Sequence, residues 1–177
     1  LKKRKKDSHK GDYGNIFVLA GSRGYTGAAA LCANACLRSG AGVVMLGIPS
    51  SLNIAMEIKL TEVMTFPLPE TEKGSFALSA KDEILKKIEK FDEVILGPGL
   101  SLNEETRELA FQLIKEIHKP MVIDADALNA ISRNTSILKE IKSDYIITPH
   151  AAEMARLTGK DIEYIKTDSV LEALILE

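Results

Sequence analysis

The sequence predicts an α/β protein, a three-layer α/β/α sandwich built around a mainly parallel sheet. Short apolar runs without polar alternation recur along the chain, and segments with helical periodicity separate them. Continuous apolar runs are typical of strands buried on both faces, as in a parallel sheet covered by helices. The 177 residues also fit a single domain of about 100–200 residues.

The first predicted strand, residues 15–20, contains a continuous apolar run at 16–20 and leads into a loop with glycines at positions 21, 24 and 27. Glycine tolerates positive φ and lets main-chain N–H groups approach a ligand, and the start of the next helix favours an anionic or polar group. The spacing matches neither the dinucleotide-binding fingerprint nor the phosphate-binding P-loop. The loop therefore fits a ligand-facing turn, and equally a plain tight connection without a ligand.

A helix of small residues is predicted at residues 27–39, with Gly40 as its C-cap. It leads to a second strand at residues 43–46, and two buried strands joined by a helix make a right-handed βαβ unit. A weaker helix at residues 50–60 and a short strand at residues 62–68 follow.

The second half of the chain continues the alternation of helix and strand. Ser79 and Ser101 are predicted to cap helices, because an acidic residue follows each of them three positions later. The helix after Ser101 extends to His118, where Pro120 ends it. Three more strands are predicted at residues 94–96, 121–123 and 145–147, and two short helices at residues 137–141 and 151–157.

The unusual residues of the chain gather at the carboxyl ends of the predicted strands. The glycine loop follows the first strand, and Gly-Pro-Gly at 97–99, the segment 124–129 and Thr-Pro-His at 148–150 follow the last three. In open parallel sheets, ligands bind in the crevice beyond these ends. The sequence therefore predicts a small-molecule site along this rim.

Charge and composition disfavour several partners. The net charge of -2 gives no reason to expect nucleic acid, and the basic run at residues 2–6 fits a solvated terminal segment. No apolar stretch approaches the about 20 residues of a membrane span, and no signal-peptide pattern is present. We expect neither nucleic acid nor membrane as a partner, and a cytoplasmic location.

Several polar residues allow two interpretations. His150 either binds a polar ligand or caps the following helix, and Asp126 either lies in the site or caps the helix near Leu128. Asp124 and Asp126 together are candidates for holding a metal or orienting a hydroxyl. Cys32 and Cys36 lack a third and fourth ligand nearby in sequence, so we expect buried side chains there instead of a metal site.

Seven motifs, colinear over residues 1–165, identify a family resemblance. They are Asp-Ser-His-Lys-Gly-Asp-Tyr-Gly at 7–14, Gly-Ser at 21–22, Thr-Gly-Ala-Ala at 26–29, Arg-Ser-Gly-Ala-Gly at 38–42, Gly-Pro-Gly-Leu at 97–100, Asp-Ala-Asp-Ala-Leu-Asn at 124–129, and Thr-Pro-His at 148–150 with Glu-Met-Ala-Arg-Leu at 153–157. Together they resemble the ADP- or ATP-dependent NAD(P)H-hydrate dehydratases, a branch of the ribokinase-like superfamily.

The resemblance implies a metabolite-repair lyase acting on NADHX and NADPHX, the hydrated forms of NADH and NADPH. With ADP or ATP as phosphate donor and Mg²⁺, the added hydroxyl is phosphorylated, and loss of that phosphate restores the dihydropyridine ring. The resemblance also implies that the hydrated cofactor contacts Ala28, Gly99 and His150. It places Gly27, Asp124 and Asn129 at the rim of the same site.

Two departures from the family pattern shape the expectations. Ala151 and Ala152 replace a family Pro-Gly, which favours an earlier helix start. The family's Gly-x-Gly-Asp segment, whose Asp acts as base, has no counterpart here. We therefore interpret residues 1–166 as a partial ribokinase-like domain, incomplete at the C-terminus, and residues 167–177 as an atypical helix or tail.

This interpretation predicts binding without turnover by the 177-residue chain, and self-association through an exposed apolar sheet face and edge. Two rival functions remain open. One is a ribokinase-like kinase of a vitamin precursor, which would share the fold and the phosphate donor. The other is a truncated, non-catalytic binding or assembly module.

Overall fold

A computed structural model describes residues 6–167, which form one six-stranded sheet with helices on its faces. The strands are β1 (Asn15–Leu19), β2 (Val43–Pro49), β3 (Met64–Leu68), β4 (Glu93–Leu96), β5 (Met121–Ile123) and β6 (Tyr145–Ile147). Their order is β3-β2-β1-β4-β5-β6, and every neighbouring pair is parallel. The predicted parallel sheet is confirmed.

Helices lie on both faces of the sheet, as the continuous apolar strands predicted. They are α1 (Thr26–Arg38), α2 (Asn53–Lys59), α3 (Lys81–Ile88), α4 (Glu104–Glu116), α5 (Asp126–Ile131), α6 (Ala151–Thr158) and α7 (Ile162–Thr167). Successive residues of β1 serve opposite cores: Phe17 joins the cluster with α3 and α4, whereas Val18 joins the cluster with α1 and α2. The α/β/α sandwich is therefore confirmed.

Two predicted helix caps are wrong. A 3-10 turn (Leu78–Ala80) precedes α3, and Ala80, not Ser79, stands at its N-cap. At α4 the cap is Asn103, whose side chain accepts a hydrogen bond from the N–H of Glu105 at 3.0 Å. The predicted helix at residues 137–141 is also a 3-10 turn, Thr135–Lys139. Ser79 lies inside the 3-10 turn, and two polar residues, Ser101 and Asn103, precede α4, so spacing alone did not identify the capping position.

The strand order creates a switch point in the middle of the sheet. From the central strand β1 the chain builds outward to β2 and β3, then crosses to the other side and builds outward through β4, β5 and β6. The loops after β1 and β4 therefore leave the sheet side by side at its carboxyl end. Such a switch point is where open α/β sheets form their ligand crevice.

The side of the sheet that faces α1 is less well covered beyond β4. Ile95, Val122 and Ile146 pair in register on this face, and Ile146 is 64% exposed. A groove of about 740 Å³ separates α1 from this face; we call it the α1 groove, and its lining includes Cys32, Cys36, Ile95, Pro98, Val122 and Asp124. The exposed apolar surface predicted from the sequence is thus present at β6.

Two further sequence expectations concern the C-terminal segment and membrane-spanning helices. The helix or tail predicted for residues 167–177 lies, apart from Thr167, outside the described residues. Within residues 6–167, no helix combines the length and the hydropathy that crossing a bilayer requires.

Candidate functional site

The loops that follow β1 and β4 are bonded directly to each other. The N–H of Gly21 donates to the carbonyl of Pro98 at 2.8 Å, and the hydroxyl of Ser22 donates to the carbonyl of Gly99 at 2.8 Å. Ser22 is only 1% exposed, so its hydrogen bond is shielded from water. The two loops therefore form one fixed rim at the switch point.

Glycine is required at two positions of this rim. Gly21 has φ +87°, and a Cβ there would lie 2.8 Å from the Cβ of Ala29. Gly97 has φ +135°, and a Cβ there would lie 1.7 Å from the carbonyl oxygen of Asp124. Gly27, by contrast, lies in the first turn of α1 with no atom within 4 Å of an added Cβ. The sequence argument for positive φ therefore holds at Gly21 and fails at Gly27.

Ala28 and Gly99, two of the residues implied to contact substrate, are neighbours. A Cβ built on Gly99 would lie 3.1 Å from the Cβ of Ala28 and 2.9 Å from the Cβ of Tyr25. Gly99 has φ +68°, so it also favours glycine for conformational reasons. The result is a bare patch of backbone and one methyl group, bordered by Tyr25, which is 58% exposed.

Asp124 contributes to the rim a carboxylate that has no hydrogen-bond partner among the described residues. It follows β5, is half-buried and lines the α1 groove together with Pro98 and Thr148. Among residues 6–167, no donor forms a hydrogen bond with its side chain, although its backbone N–H donates to Leu96. A half-buried carboxylate without a protein partner is available to accept hydrogen bonds from a polar ligand.

Asp126 and Asn129 are engaged with the scaffold. Asp126 accepts a hydrogen bond from the N–H of Ser101 at 2.9 Å, so it links the loop after β4 to the start of α5. The Asn129 amide donates to Asp126 at 3.4 Å and accepts from Arg156 at 2.8 Å. Asp126 is not an N-cap, since that position belongs to Ala125. These contacts join α5 to α6 just behind the rim.

His150 caps α6, which was one of its two possible roles. Its Nδ1 accepts hydrogen bonds from the N–H groups of Ala152 at 3.1 Å and Glu153 at 3.4 Å. Since Nδ1 acts as an acceptor, the neutral ring carries its proton on Nε2, which lies 3.2 Å from a carboxylate oxygen of Glu153. The side chain is 65% exposed and stands at the carboxyl end of β6, two strands from the loop of Gly99.

The N-terminal motif packs against the end of α1. The N–H of Gly42 donates to the carbonyl of Gly14 at 2.9 Å, and a Cβ on Gly42 would lie 1.6 Å from the carbonyl oxygen of Lys10. Only glycine fits at this contact. Tyr13, from the same segment, lines the α1 groove, so two distant family motifs meet at one wall of it.

Of the two cysteines, only Cys36 matches the burial expected from the sequence. Cys36 is buried, but Cys32 is only half-buried, and both thiols line the α1 groove. The hydrogen bond between the two thiols, together with burial, raises the pKa of Cys32, and the negative charges of Cys36 and Asp124 add to that rise. The same hydrogen bond lowers the pKa of Cys36.

Metal binding finds no support in the described part of the chain. Residues 6–167 contain no group of three or more His, Cys, Asp or Glu side chains arranged to hold a metal ion. Asp124 and Asp126, the candidates from the sequence, do not act as a pair, since the Asp126 carboxylate is hydrogen-bonded to Ser101 and Asn129. These residues therefore do not fit a Mg²⁺ ion held by the protein alone.

Sequence reasoning missed one residue of the site. Tyr25 borders the patch of Ala28 and Gly99. It carried no signal in the sequence, because its exposure depends on how the glycine loop turns. Thr148, by contrast, belongs to the predicted rim and lines the groove beside Asp124.

Comparison with known proteins identifies relatives along almost the whole chain. A family model described as NAD(P)H-hydrate dehydratase matches residues 16–174. The bifunctional NAD(P)H-hydrate repair enzyme Nnr of Moorella thermoacetica is 39% identical over 168 residues, which are 95% of this chain and 32% of that protein. The ADP-dependent (S)-NAD(P)H-hydrate dehydratase of Staphylococcus aureus is 32% identical over 165 residues, 92% of this chain and 55% of that protein.

Solved structures give the same result. A hypothetical protein from Streptococcus mutans superposes with a TM-score of 0.76 at 29% identity, covering 92% of this chain and 55% of that one. An ADP/ATP-dependent NAD(P)H-hydrate dehydratase from Bacillus subtilis, co-crystallised with ATP and Mg²⁺, superposes with a TM-score of 0.71 at 26% identity, covering 96% and 56%. The chain thus spans about a third of the bifunctional relative and about half of the shorter ones.

Proposed function

This chain belongs to the NAD(P)H-hydrate dehydratase family. We propose that the rim formed by its loops after β1 and β4 holds the hydrated nicotinamide ring of NADHX and NADPHX for nucleotide-dependent dehydration. The single observation that carries the proposal is the contact of Ala28 with Gly99 at the switch point of the sheet. A methyl group and bare backbone leave room for a flat ring, and the neighbouring backbone is fixed by the hydrogen bond of Ser22.

The three proposed substrate contacts are of two kinds, an apolar surface and a polar side chain. Ala28 and Gly99 form the surface against which the ring lies, and any larger side chain there occupies the space of the ligand. His150 lies farther along the same rim. Its exposed Nε2–H can donate to a ligand when it no longer donates to the Glu153 carboxylate. We propose that His150 binds the substrate through Nε2 while Nδ1 continues to cap α6.

The remaining rim residues have supporting tasks in this proposal. Asp124, whose carboxylate has no partner within residues 6–167, offers it to hydroxyl or amide donors of the ligand. Gly27 keeps the first turn of α1 open to a ligand. Asn129 is a positioning residue, because it connects α5 to Arg156 of α6 and thereby supports the segment that carries His150.

Phosphate transfer is the part of the reaction for which residues 6–167 offer least. By relation to the Staphylococcus and Bacillus enzymes we propose ADP or ATP as donor, with Mg²⁺ accompanying the nucleotide. The 177 residues contain no Gly-x-Gly-Asp segment, so we propose that residues 1–166 are the substrate-holding portion of a ribokinase-like domain. The 177-residue chain then binds hydrated cofactor without converting it.

Calorimetric titration of the pure chain with NADPHX, NADPH and ADP tests this function. We expect weak binding of both nicotinamide nucleotides, and no ADP-dependent recovery of dihydropyridine absorbance. Gly99→Ala serves as the disrupted variant and Ser136→Ala, at an exposed site, as the matched control. Equal binding by wild type and Gly99→Ala contradicts the site, and turnover by the pure chain contradicts the absence of a base.

A thermal-shift panel separates the dehydratase from the rival kinase. NADPHX and NADPH should raise the melting temperature of the chain, whereas thiazole and pyrimidine alcohols, the substrates of vitamin-precursor kinases, should leave it unchanged. Stabilisation by the alcohols alone favours the kinase, and stabilisation by no ligand favours a non-catalytic module.

We also propose that the chain forms a homo-oligomer and acts in the cytoplasm. The exposed edge at Ile146 supports self-association, because an open apolar strand edge favours pairing with another chain. The two free thiols support a reducing compartment. Light scattering tests the first statement, and a monomer over the accessible concentration range contradicts it.

A further inference from the structure

Cys32 and Cys36 form a pair of thiols on the groove side of α1. They lie one helical turn apart, so their side chains share a face of the helix. Both line the open α1 groove. They are also the only cysteines of the chain, so every thiol signal of the protein belongs to this pair.

Geometry decides which chemistry the pair supports. Side chains four residues apart on a helix have Cβ atoms about 5–6 Å apart, whereas a disulfide needs about 3.5–4.5 Å. A disulfide would therefore unwind part of α1, in which Ala29, Ala33 and Cys36 are buried against the sheet. An atom that bridges the two sulfurs spans the wider gap without moving the helix.

The number of protein ligands available limits which atom can bridge the two sulfurs. Structural zinc takes four ligands, and the described residues place no third His, Cys, Asp or Glu side chain in a metal-binding group with the two thiols. Soft thiolates prefer soft, thiophilic centres that accept few ligands. Trivalent arsenic bonded to one organic group has two remaining valences, which is the number that the pair supplies.

We propose that Cys32 and Cys36 form a bidentate dithiol site for trivalent organoarsenicals. With phenylarsine oxide, both S–H bonds and the arsenic–oxygen bond break, two arsenic–sulfur bonds form, and one molecule of water leaves. Arsenic keeps its oxidation state, so no oxidant or reductant is needed. The hydrogen bond that eases ionisation of Cys36 helps the first sulfur to attack.

An arsenical bound to the two thiols would also occupy the α1 groove. Asp124 and Pro98 line the same groove as the two thiols. A bound arsenical directs its phenyl group into this groove, because the helix backbone blocks the opposite side. This inference stands independently of the proposed function, since it concerns only the thiols and the space in front of them.

Intact-mass spectrometry of the 177-residue chain with phenylarsine oxide tests the site. We expect one phenylarsine unit per chain, retained in excess 2-mercaptoethanol and removed by 2,3-dimercaptopropanol. Cys32→Ser and Cys36→Ser should each lose the adduct in 2-mercaptoethanol, and their thermal unfolding is measured to verify that they remain folded. An adduct equally stable in either single variant overturns the proposal, as does a wild type that retains none.

A double variant controls for the number of thiols. Cys36→Ser with Ser39→Cys keeps two thiols in the α1 groove, since Ser39 also lines it, but places them about 10 Å apart along the helix axis. We expect this variant to bind the arsenical no more firmly than a single cysteine. Retention equal to that of wild type shows that spacing is irrelevant and overturns the bidentate site.

Discussion

Ser22 and Gly99 are joined by a hydrogen bond of 2.8 Å although they lie 77 residues apart in the chain. The hydroxyl of Ser22 is the donor, and the carbonyl of Gly99 belongs to the residue that contacts Ala28. The bond therefore connects the two loops of the switch point at the place where the ligand surface is formed. It ties the geometry of the rim to the pairing of β1 with β4.

Replacing Ser22 with alanine should lower the free energy of unfolding by about 0.5–1.5 kcal/mol, because a buried hydrogen bond is lost and the Gly99 carbonyl loses its donor. Denaturant unfolding measures the change. Ser136→Ala removes an exposed hydroxyl and should change stability by less than about 0.5 kcal/mol. Equal effects of the two variants contradict a structural role for Ser22.

Gly99→Ala and Gly27→Ala should act in opposite directions on stability. At Gly99 the added methyl meets Tyr25 and Ala28 in a backbone with φ +68°, so we expect a loss of about 1 kcal/mol or more. At Gly27 the methyl meets nothing within 4 Å in a helical backbone, so we expect a gain of about 0.5–1 kcal/mol. Thermal unfolding of both proteins checks the sign.

His150 can be tested as cap and as ligand separately. His150→Ala should lower the free energy of unfolding by about 0.5–2 kcal/mol, since α6 loses its N-cap. His150→Asn restores a good capping side chain but has no group at the position of Nε2. We expect near wild-type stability with weakened NADPHX binding, measured by calorimetry; unchanged binding excludes Nε2 from the site.

Asp124 and Asp126 should respond differently to removal of their carboxylates. Asp124→Asn should change stability by less than about 0.5 kcal/mol, because its side chain has no partner among residues 6–167. Asp126→Ala should be clearly destabilising, because the N–H of Ser101 and the amide of Asn129 lose their acceptor. Similar effects of both changes contradict the division of roles.

The thiol pair predicts a pH dependence of known sign. Since the pKa of Cys36 is lowered in the folded chain, its contribution to stability grows as the pH rises toward the unfolded-state value of about 8.5. Since the pKa of Cys32 is raised, its contribution falls as the pH rises above that value. Ultraviolet thiolate titration should show one early and one late ionisation, and Cys32→Ala should shift the early one upward.

The fold was predictable because hydrophobic patterning determined it. Runs such as residues 16–20, 94–96 and 121–123 are apolar without alternation, and only a sheet covered on both faces buries them. Their parallel pairing then placed Gly21, Gly97 and Asp124 at one rim. Boundaries were less predictable where several polar residues compete for one cap, as Ser101 and Asn103 do before α4.

Details of the site depended on contacts across the chain. Asp126 bonds to Ser101, whereas Asp124 has no partner in the described part of the chain, because of how the loops after β4 and β5 approach each other. The sequence presents both residues in one motif with equal weight. The capping by His150 was among the alternatives, but choosing it required the backbone path from β6 into α6.

The central position of β1 means that neither half of the chain contains the binding surface by itself. Ala28 lies before the crossing from β3 to β4, and Gly99 lies after it. A ligand that contacts both residues can bind only after β1 has paired with β4. Such a ligand stabilises the folded chain and does not stabilise partly folded forms. Cleaving the chain between β3 and α3 should yield two fragments that recognise the cofactor only when recombined.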